Sequence, residues 1–199
     1  MKALWHKILP LGRMEIFGEE PTFPVIRVKQ IHSAELLALE AAAGAQLTPA
    51  DGLIGKTLPT DPLCIVTADC LPVAVIGKEG VAFLHAGWRG LAQNILAQDK
   101  IKDLKPTYFF IGPHIHPCCY QVQEDFLAHF PASPAFHRQQ EKIYFDLGKQ
   151  AILQIKSTFP LAKIEMAQEC TFCFSSDLFH SFRREGGGTR NYNLWYVHE

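Results

Sequence analysis

Residues 63–91, LCIVTADCLPVAVIGKEGVAFLHAGWRGL, decide how this chain folds. Two apolar, strand-like runs carry the stretch, the first of them rich in β-branched residues. The first, Leu63 to Ile76, is interrupted by Asp69 and Cys70. The second, Val81 to Leu84, runs into His85 and a Gly87-Trp88-Arg89-Gly90 turn. Gly77 to Gly80 is the expected turn between the arms. A buried strand has no structural use for an acid beside a thiol. The hairpin therefore reads as a scaffold that delivers Asp69, Cys70 and His85 to the rim of a sheet.

Working outward, Glu15 to Phe17 and the alternating Val25 to Ile31 predict strands. Leu36 to Ala45 is helical in propensity, with a short extended stretch as the alternative. Pro49 to Gly52 is a turn, and Leu53-Ile54 a short strand. Leu91 to Leu104 predicts a helix whose first-turn amides would favour an anion near His85 and Arg89. Tyr108 to Ile111 is a buried strand, and His114 to Tyr120 an irregular loop. Glu124 to Phe130 and Phe145 to Phe159 predict helices, the second with Asp146 near its start. Lys163 to Ala167 and Asn193 to Val197 are the last strands. Eight or nine strands against three helices, in mixed order, predict an α+β fold with a largely antiparallel or mixed sheet.

The 199 residues predict a single catalytic domain over 1–199, long enough for a substantial core. Hydrophobic residues make up 48% and charged residues 20%, which excludes a disordered chain. A net charge of −1 predicts no nucleic-acid or membrane partner. The amino-terminal segment makes a poor signal peptide, and no transmembrane helix is expected. The six cysteines are then read as reduced thiols of a cytoplasmic protein.

His32, Cys70 and His85 each follow or end an apolar strand. Two imidazoles and a thiolate suit zinc, and three protein ligands leave a fourth position open, as catalytic sites do. Asp69 and Asp51 are candidate orienters or proton carriers. Without His32, Cys70 and His85 alone would serve as a Cys–His nucleophilic dyad. Arg183, Arg184 and Arg190 flank three glycines and, with Arg89, form a candidate anion-binding set. The adjacent Cys118 and Cys119 do not easily face one site. Cys170-Thr171-Phe172-Cys173 lacks the second CxxC of a zinc ribbon, so both pairs are read as structural. The chain has neither motif of the zinc nucleobase deaminases, and its one His-x-His pair, His114 and His116, is too few for a four-copper oxidase.

Gln30-Ile31-His32, Asp51-Gly52-Leu53, Thr67-Ala68-Asp69-Cys70-Leu71-Pro72-Val73, His85-Ala86-Gly87-Trp88-Arg89-Gly90, Ile111-Gly112-Pro113, Cys119-Tyr120-Gln121-Val122, Cys170-Thr171 and Ser181-Phe182-Arg183-Arg184 occur in that order. With them the chain resembles the YfiH family, also called laccase-domain or polyphenol-oxidase-like proteins, over residues 25–197. The resemblance implies a β-sandwich-like core in α/β/β/α layers, shared with the catalytic domain of cytotoxic necrotizing factor toxins. It implies zinc on His32, Cys70 and His85, and small-molecule partners, a purine nucleoside and phosphate. The implied chemistry is phosphorolysis of adenosine, inosine and methylthioadenosine, with adenosine deamination as a side activity. Copper-dependent polyphenol oxidation, Cys–His amidase action in peptidoglycan precursor editing, and a catalytically silent nucleoside-binding protein are the alternatives. Only 29 residues precede Gln30, without the family's Thr-Arg-x-Gly-Gly stretch, so part of the usual pocket wall is expected to be missing or replaced.

Overall fold

The computed structural model describes residues 1–42, 47–175 and 178–198. Among them the strands are β1 (Trp5–Ile8), β2 (Arg13–Phe17), β3 (Ile26–Arg27), β4 (Leu36–Ala38), β5 (Gly52–Gly55), β6 (Leu63–Thr67), β7 (Leu71–Gly77), β8 (Gly80–Ala86), β9 (Pro106–Ile111), β10 (Gln121–Val122), β11 (Phe136–Gln139), β12 (Lys142–Phe145), β13 (Lys163–Met166) and β14 (Asn191–Tyr196). A five-stranded sheet runs β1-β2-β14-β6-β3, a six-stranded sheet β13-β9-β7-β8-β5-β4, and a small sheet β10-β12-β11. Pairing is mixed: β3–β6, β4–β5 and β9–β13 are parallel and the other pairs antiparallel. The class is α+β, as the sequence predicts.

The opening stretch folds differently from a simple hairpin. Its second half is one: Leu71 to Gly77 pairs with Gly80 to Ala86 in unbroken antiparallel register. Gly80 has φ +148°, and a Cβ there would meet Gly55 O at 2.2 Å, so the turn needs glycine. The predicted arm Leu63 to Ile76, however, is two strands in two different sheets. The chain changes sheets at Ala68-Asp69-Cys70, and the polar pair marks that corner rather than an interruption.

Alternation then sorts the side chains. Ala74, Val81, Phe83 and Phe110 of the six-stranded sheet meet Met14, Leu63, Ile65 and Trp195 of the five-stranded sheet. Phe83 and Trp195 contact edge to face at 5.8 Å in the middle of this core, and burying a ring like Phe83 contributes roughly 1.5–3 kcal/mol. On the other face, Val73, Val75, Leu84 and Phe109 pack on α4, the helix Leu147–Thr158, through Leu147, Ala151 and Ile155. A strand buried on both faces has no polar face to alternate with, hence the continuous apolar runs. Asp146 caps α4 by accepting from Lys149 N at 2.8 Å, a contact of about 1 kcal/mol.

Several local expectations fail. Leu91 to Leu104 is three short pieces, α2 (Trp88–Ala92), a 3₁₀ turn at Ile95–Ala97 and α3 (Asp99–Lys102). Asn94 adopts φ +58° and breaks the run. With five residues, α2 is too short for the anion site expected at its start. Glu124–His129 is 3₁₀ rather than α. Val25 to Ile31 is a strand only at Ile26–Arg27, because the following residues leave the sheet to meet Asp51. Leu36 to Ala45 is both alternatives in turn, strand Leu36–Ala38 and helix α1 (Leu39–Ala42), with residues 43–45 outside the described ones.

Register places the chemistry. Leu36 pairs with Gly52, Gly52 with Leu84, Leu71 with Ala86, Val73 with Ile111, and Ile111 with Met166. The segments carrying His32, Asp51, Cys70, Gly87, His114 and Cys170 therefore leave from the same end of the six-stranded sheet.

Candidate metal centre and pocket

At that end the ligand atoms of His32, Cys70 and His85 lie within 4.8 Å of one another. The two imidazoles meet nearly perpendicular, with ring centroids 4.9 Å apart. A Cβ on Gly87 would stand 3.0 Å from Cys70 Sγ and 3.8 Å from both rings. Gly87 thus keeps open the space into which the three donors converge. One thiolate and two imidazoles converging beside an accessible pocket form a donor set that fits a divalent metal with a free position.

Asp51 is the hub behind these donors. Its fully buried carboxylate lies 2.8 Å from His85 Nδ1. It also accepts from His32 N at 2.9 Å, Ser33 N at 2.6 Å and Ser33 Oγ at 2.7 Å. One acid therefore fixes the tautomer of one donor and the backbone of the other. His32 holds φ +58°, a conformation uncommon for a non-glycine residue, which the bonds to Asp51 impose. Burial opposes ionisation of Asp51, but His85 and Ser33 outweigh it and bring its pKa down to about 2. Gln30 adds a second brace, exchanging two 2.7 Å bonds with the backbone of Val66.

The same electrostatics join Cys70 and His85. Burial alone would raise the thiol, yet the His85 charge and hydrogen bonds from both imidazoles lower it to about 6. Burial would lower His85, yet the Cys70 thiolate and Asp51 raise it to about 9. Each partner thus favours the charged form of the other, the Cys70 thiolate and the His85 imidazolium.

The donors open into a pocket of about 770 Å³. Arg89, Arg183 and Arg190 line it, with Trp88, Tyr120 and Phe182. The Arg89 guanidinium lies over Trp88 at 4.4 Å and that of Arg183 over Tyr120 at 4.9 Å. Arg184 belongs elsewhere: it does not line this pocket and instead grips the carbonyls of Thr171, Phe172 and Phe179. Asp69, expected as a proton carrier, has both oxygens engaged. Thr171 Oγ1 donates to Oδ1 at 2.7 Å, and Ser181 Oγ and Arg183 N donate to Oδ2 at 3.0 and 2.8 Å. With φ +87° and these bonds, Asp69 anchors the sheet-changing corner to the carboxy-terminal segment. Thr171 and Ser181 stand in motifs that carry the resemblance, but their partner was not legible, since each lies more than a hundred residues from Asp69. Cys64 is a core thiol that burial raises to about 12. His114 is buried on Gly112 O at 2.8 Å, and neither it nor His116 joins a metal-donor cluster among the described residues.

No helix among the described residues is long and apolar enough to cross a membrane. The family model for multi-copper polyphenol oxidoreductase laccases matches residues 14–194. A purine nucleoside phosphorylase of Aquifex aeolicus is 33% identical over 60% of this chain, a match spanning 57% of that protein. The purine nucleoside phosphorylase YfiH of Shigella flexneri is 31% identical over 87% of this chain and 73% of its own length. The crystal structure of YlmD from Geobacillus stearothermophilus superposes with a TM-score of 0.74 at 27% identity, covering 88% of this chain and 74% of that one.

Proposed function

Because the chain belongs to the YfiH family of laccase-like proteins, we propose that it is a purine nucleoside phosphorylase holding zinc on His32, Cys70 and His85. The observation that carries this reading is the convergence of those three donors on a pocket lined by four arginines, of which Arg27 is paired with Glu20 and Arg89, Arg183 and Arg190 are left to face a ligand. Zinc, when bound, supplies Lewis-acid polarisation of an oxygen at the inner end of the pocket. Arg89, Arg183 and Arg190 grip phosphate. Arg89 and Arg183 are already stacked on aromatic rings, so little freedom is lost on binding. Trp88 and Phe182 provide the apolar surface for a planar base. A phosphate oxygen so held attacks the ribose C1′ carbon as the bond to the purine nitrogen breaks, and positioning supplies much of the rate. Asp51 keeps His85 oriented, and Asp69 holds the corner that presents Cys70. Adenosine deamination in the same pocket is the accompanying side activity we propose.

Purified protein should release hypoxanthine from inosine only when phosphate is added, and Cys70→Ala should lose both the triad's zinc and this turnover. Turnover by Cys70→Ala at the unsubstituted rate would end the proposal. A specific observation favours one competing reading: Asp51, His85 and Cys70 also form the chain of a thiol hydrolase. Such an enzyme would survive chelation and need no His32, so loss of turnover in His32→Ala and on chelation separates the two.

A further inference from the structure

We propose that Cys118, Cys119, Cys170 and Cys173 form a second, structural metal site that takes one zinc ion. The sequence does not favour it, since it shows one CxxC and one pair of adjacent cysteines more than fifty residues apart. The fold brings them together. Cys118 and Cys119 sit on a turn in which the N–H groups of Cys119 and Tyr120 both donate to His116 O at 3.0 Å. That turn directs both thiols the same way, against the expectation that neighbouring cysteines diverge. The second loop is tied alongside by a bridge between His114 and Cys170 and by Thr171 N donating to His114 O at 3.0 Å.

All four sulfurs lie within 4.8 Å of one another. Cys118 Sγ is 3.6 Å from Cys173 Sγ and 3.5 Å from Cys119 Sγ. Zinc–sulfur bonds of about 2.3 Å in a tetrahedron place sulfurs about 3.8 Å apart, so these thiols already stand near the required spacing. No cysteine of the chain is in a disulfide. Four protein donors close the coordination shell, which is the structural rather than the catalytic pattern. Binding ionises the four thiols, releases their protons to solvent and leaves a centre of net charge −2. The surroundings suit that charge. His116 N donates to Cys170 Sγ at 3.3 Å, and the N–H groups of Phe172 and Cys173 also point at this sulfur. The Arg184 guanidinium holds the carbonyls of Thr171 and Phe172, fixing a positive charge on the two residues between Cys170 and Cys173.

The site would clamp the loop after β9 to the loop after β13, directly behind Thr171, whose hydroxyl holds Asp69. This gives the six cysteines three separate tasks: one at the pocket, four in the clamp and Cys64 in the core. The clamp does not depend on the proposed enzymatic activity.

The test counts zinc per chain in protein purified under reducing conditions. The unsubstituted protein should hold two ions, Cys70→Ala one, and Cys118→Ser/Cys173→Ser one. Because the double variant risks misfolding, cobalt(II) is also titrated into zinc-free Cys70→Ala. An intense sulfur-to-cobalt charge-transfer absorption should persist there, since four thiolates remain. Absence of that absorption, or an unchanged zinc count in the double variant, would overturn the proposal. So would a mass lighter by the hydrogens of a disulfide between these cysteines. Loss of zinc from the clamp with normal inosine turnover would leave the phosphorylase reading intact, and the converse result would leave the clamp intact.

Discussion

The two thiol clusters share one end of the six-stranded sheet and differ in almost everything else. The His32–Cys70–His85 cluster mixes imidazole with a single thiol, opens into a pocket, and is backed by the buried carboxylate of Asp51. The Cys118–Cys119–Cys170–Cys173 cluster is all sulfur, sits on surface loops, and is backed by backbone N–H groups. An open position with a fixed acid behind it suits chemistry on a ligand, whereas a closed shell on two loops suits holding them together. The contrast also shows what sets a thiol's acidity: Cys70 is lowered by a cationic neighbour, while Cys118, exposed but partly desolvated and facing other thiols, is raised to about 11.

That difference gives the largest expected effect. In metal-free protein the Cys70 thiolate forms as pH rises through about 6, three units below an ordinary thiol of 9, and Cys118 ionises only towards 11. Alkylation followed by peptide mass mapping at pH 7 should therefore label Cys70 ahead of Cys118, the two differing by a factor on the order of ten thousand in thiolate population. Equal labelling would break the contrast. Next comes Asp51→Ala, which leaves His85 without its partner and His32 without its backbone anchor. Zinc affinity at the triad should fall about 10–100-fold, read by competition with a chromogenic chelator, while the sulfur clamp keeps its ion. Loss of zinc from both clusters together would show that they are one cooperative unit. The smallest effect is expected from Gly87→Ala. Gly87 has φ −74° and ψ 173°, which alanine adopts without strain, so only the 3.0 Å approach to Cys70 Sγ matters. Turnover should drop roughly tenfold with a thermal midpoint close to that of the parent, since about 1.4 kcal/mol is a tenfold effect. A large fall in midpoint with normal turnover would mean that the crowding falls on the fold rather than on the donors.

The sequence by itself determined the hairpin and picked out His32, Cys70 and His85 as candidates, which the fold brings together. Apolar runs with glycines between them make a hairpin whatever surrounds it, and a polar residue at the end of such a run has only the sheet rim to occupy. His32, Cys70 and His85 could therefore be named from local pattern, with the family motifs agreeing. Tertiary structure alone decided the rest. That Leu63 to Ile76 divides between two sheets follows from pairing with β14 on one side and β8 on the other, which no local window contains. Asp51 reads locally as a turn residue, and only the fold sets it against His85, 34 residues on. Cys118 and Cys173 lie 55 residues apart, and the parallel pairing of β9 with β13 brings their loops together. Spacing along a chain fixes which way a side chain faces; which distant side chain it meets depends on strand order, and strand order is a property of the whole core.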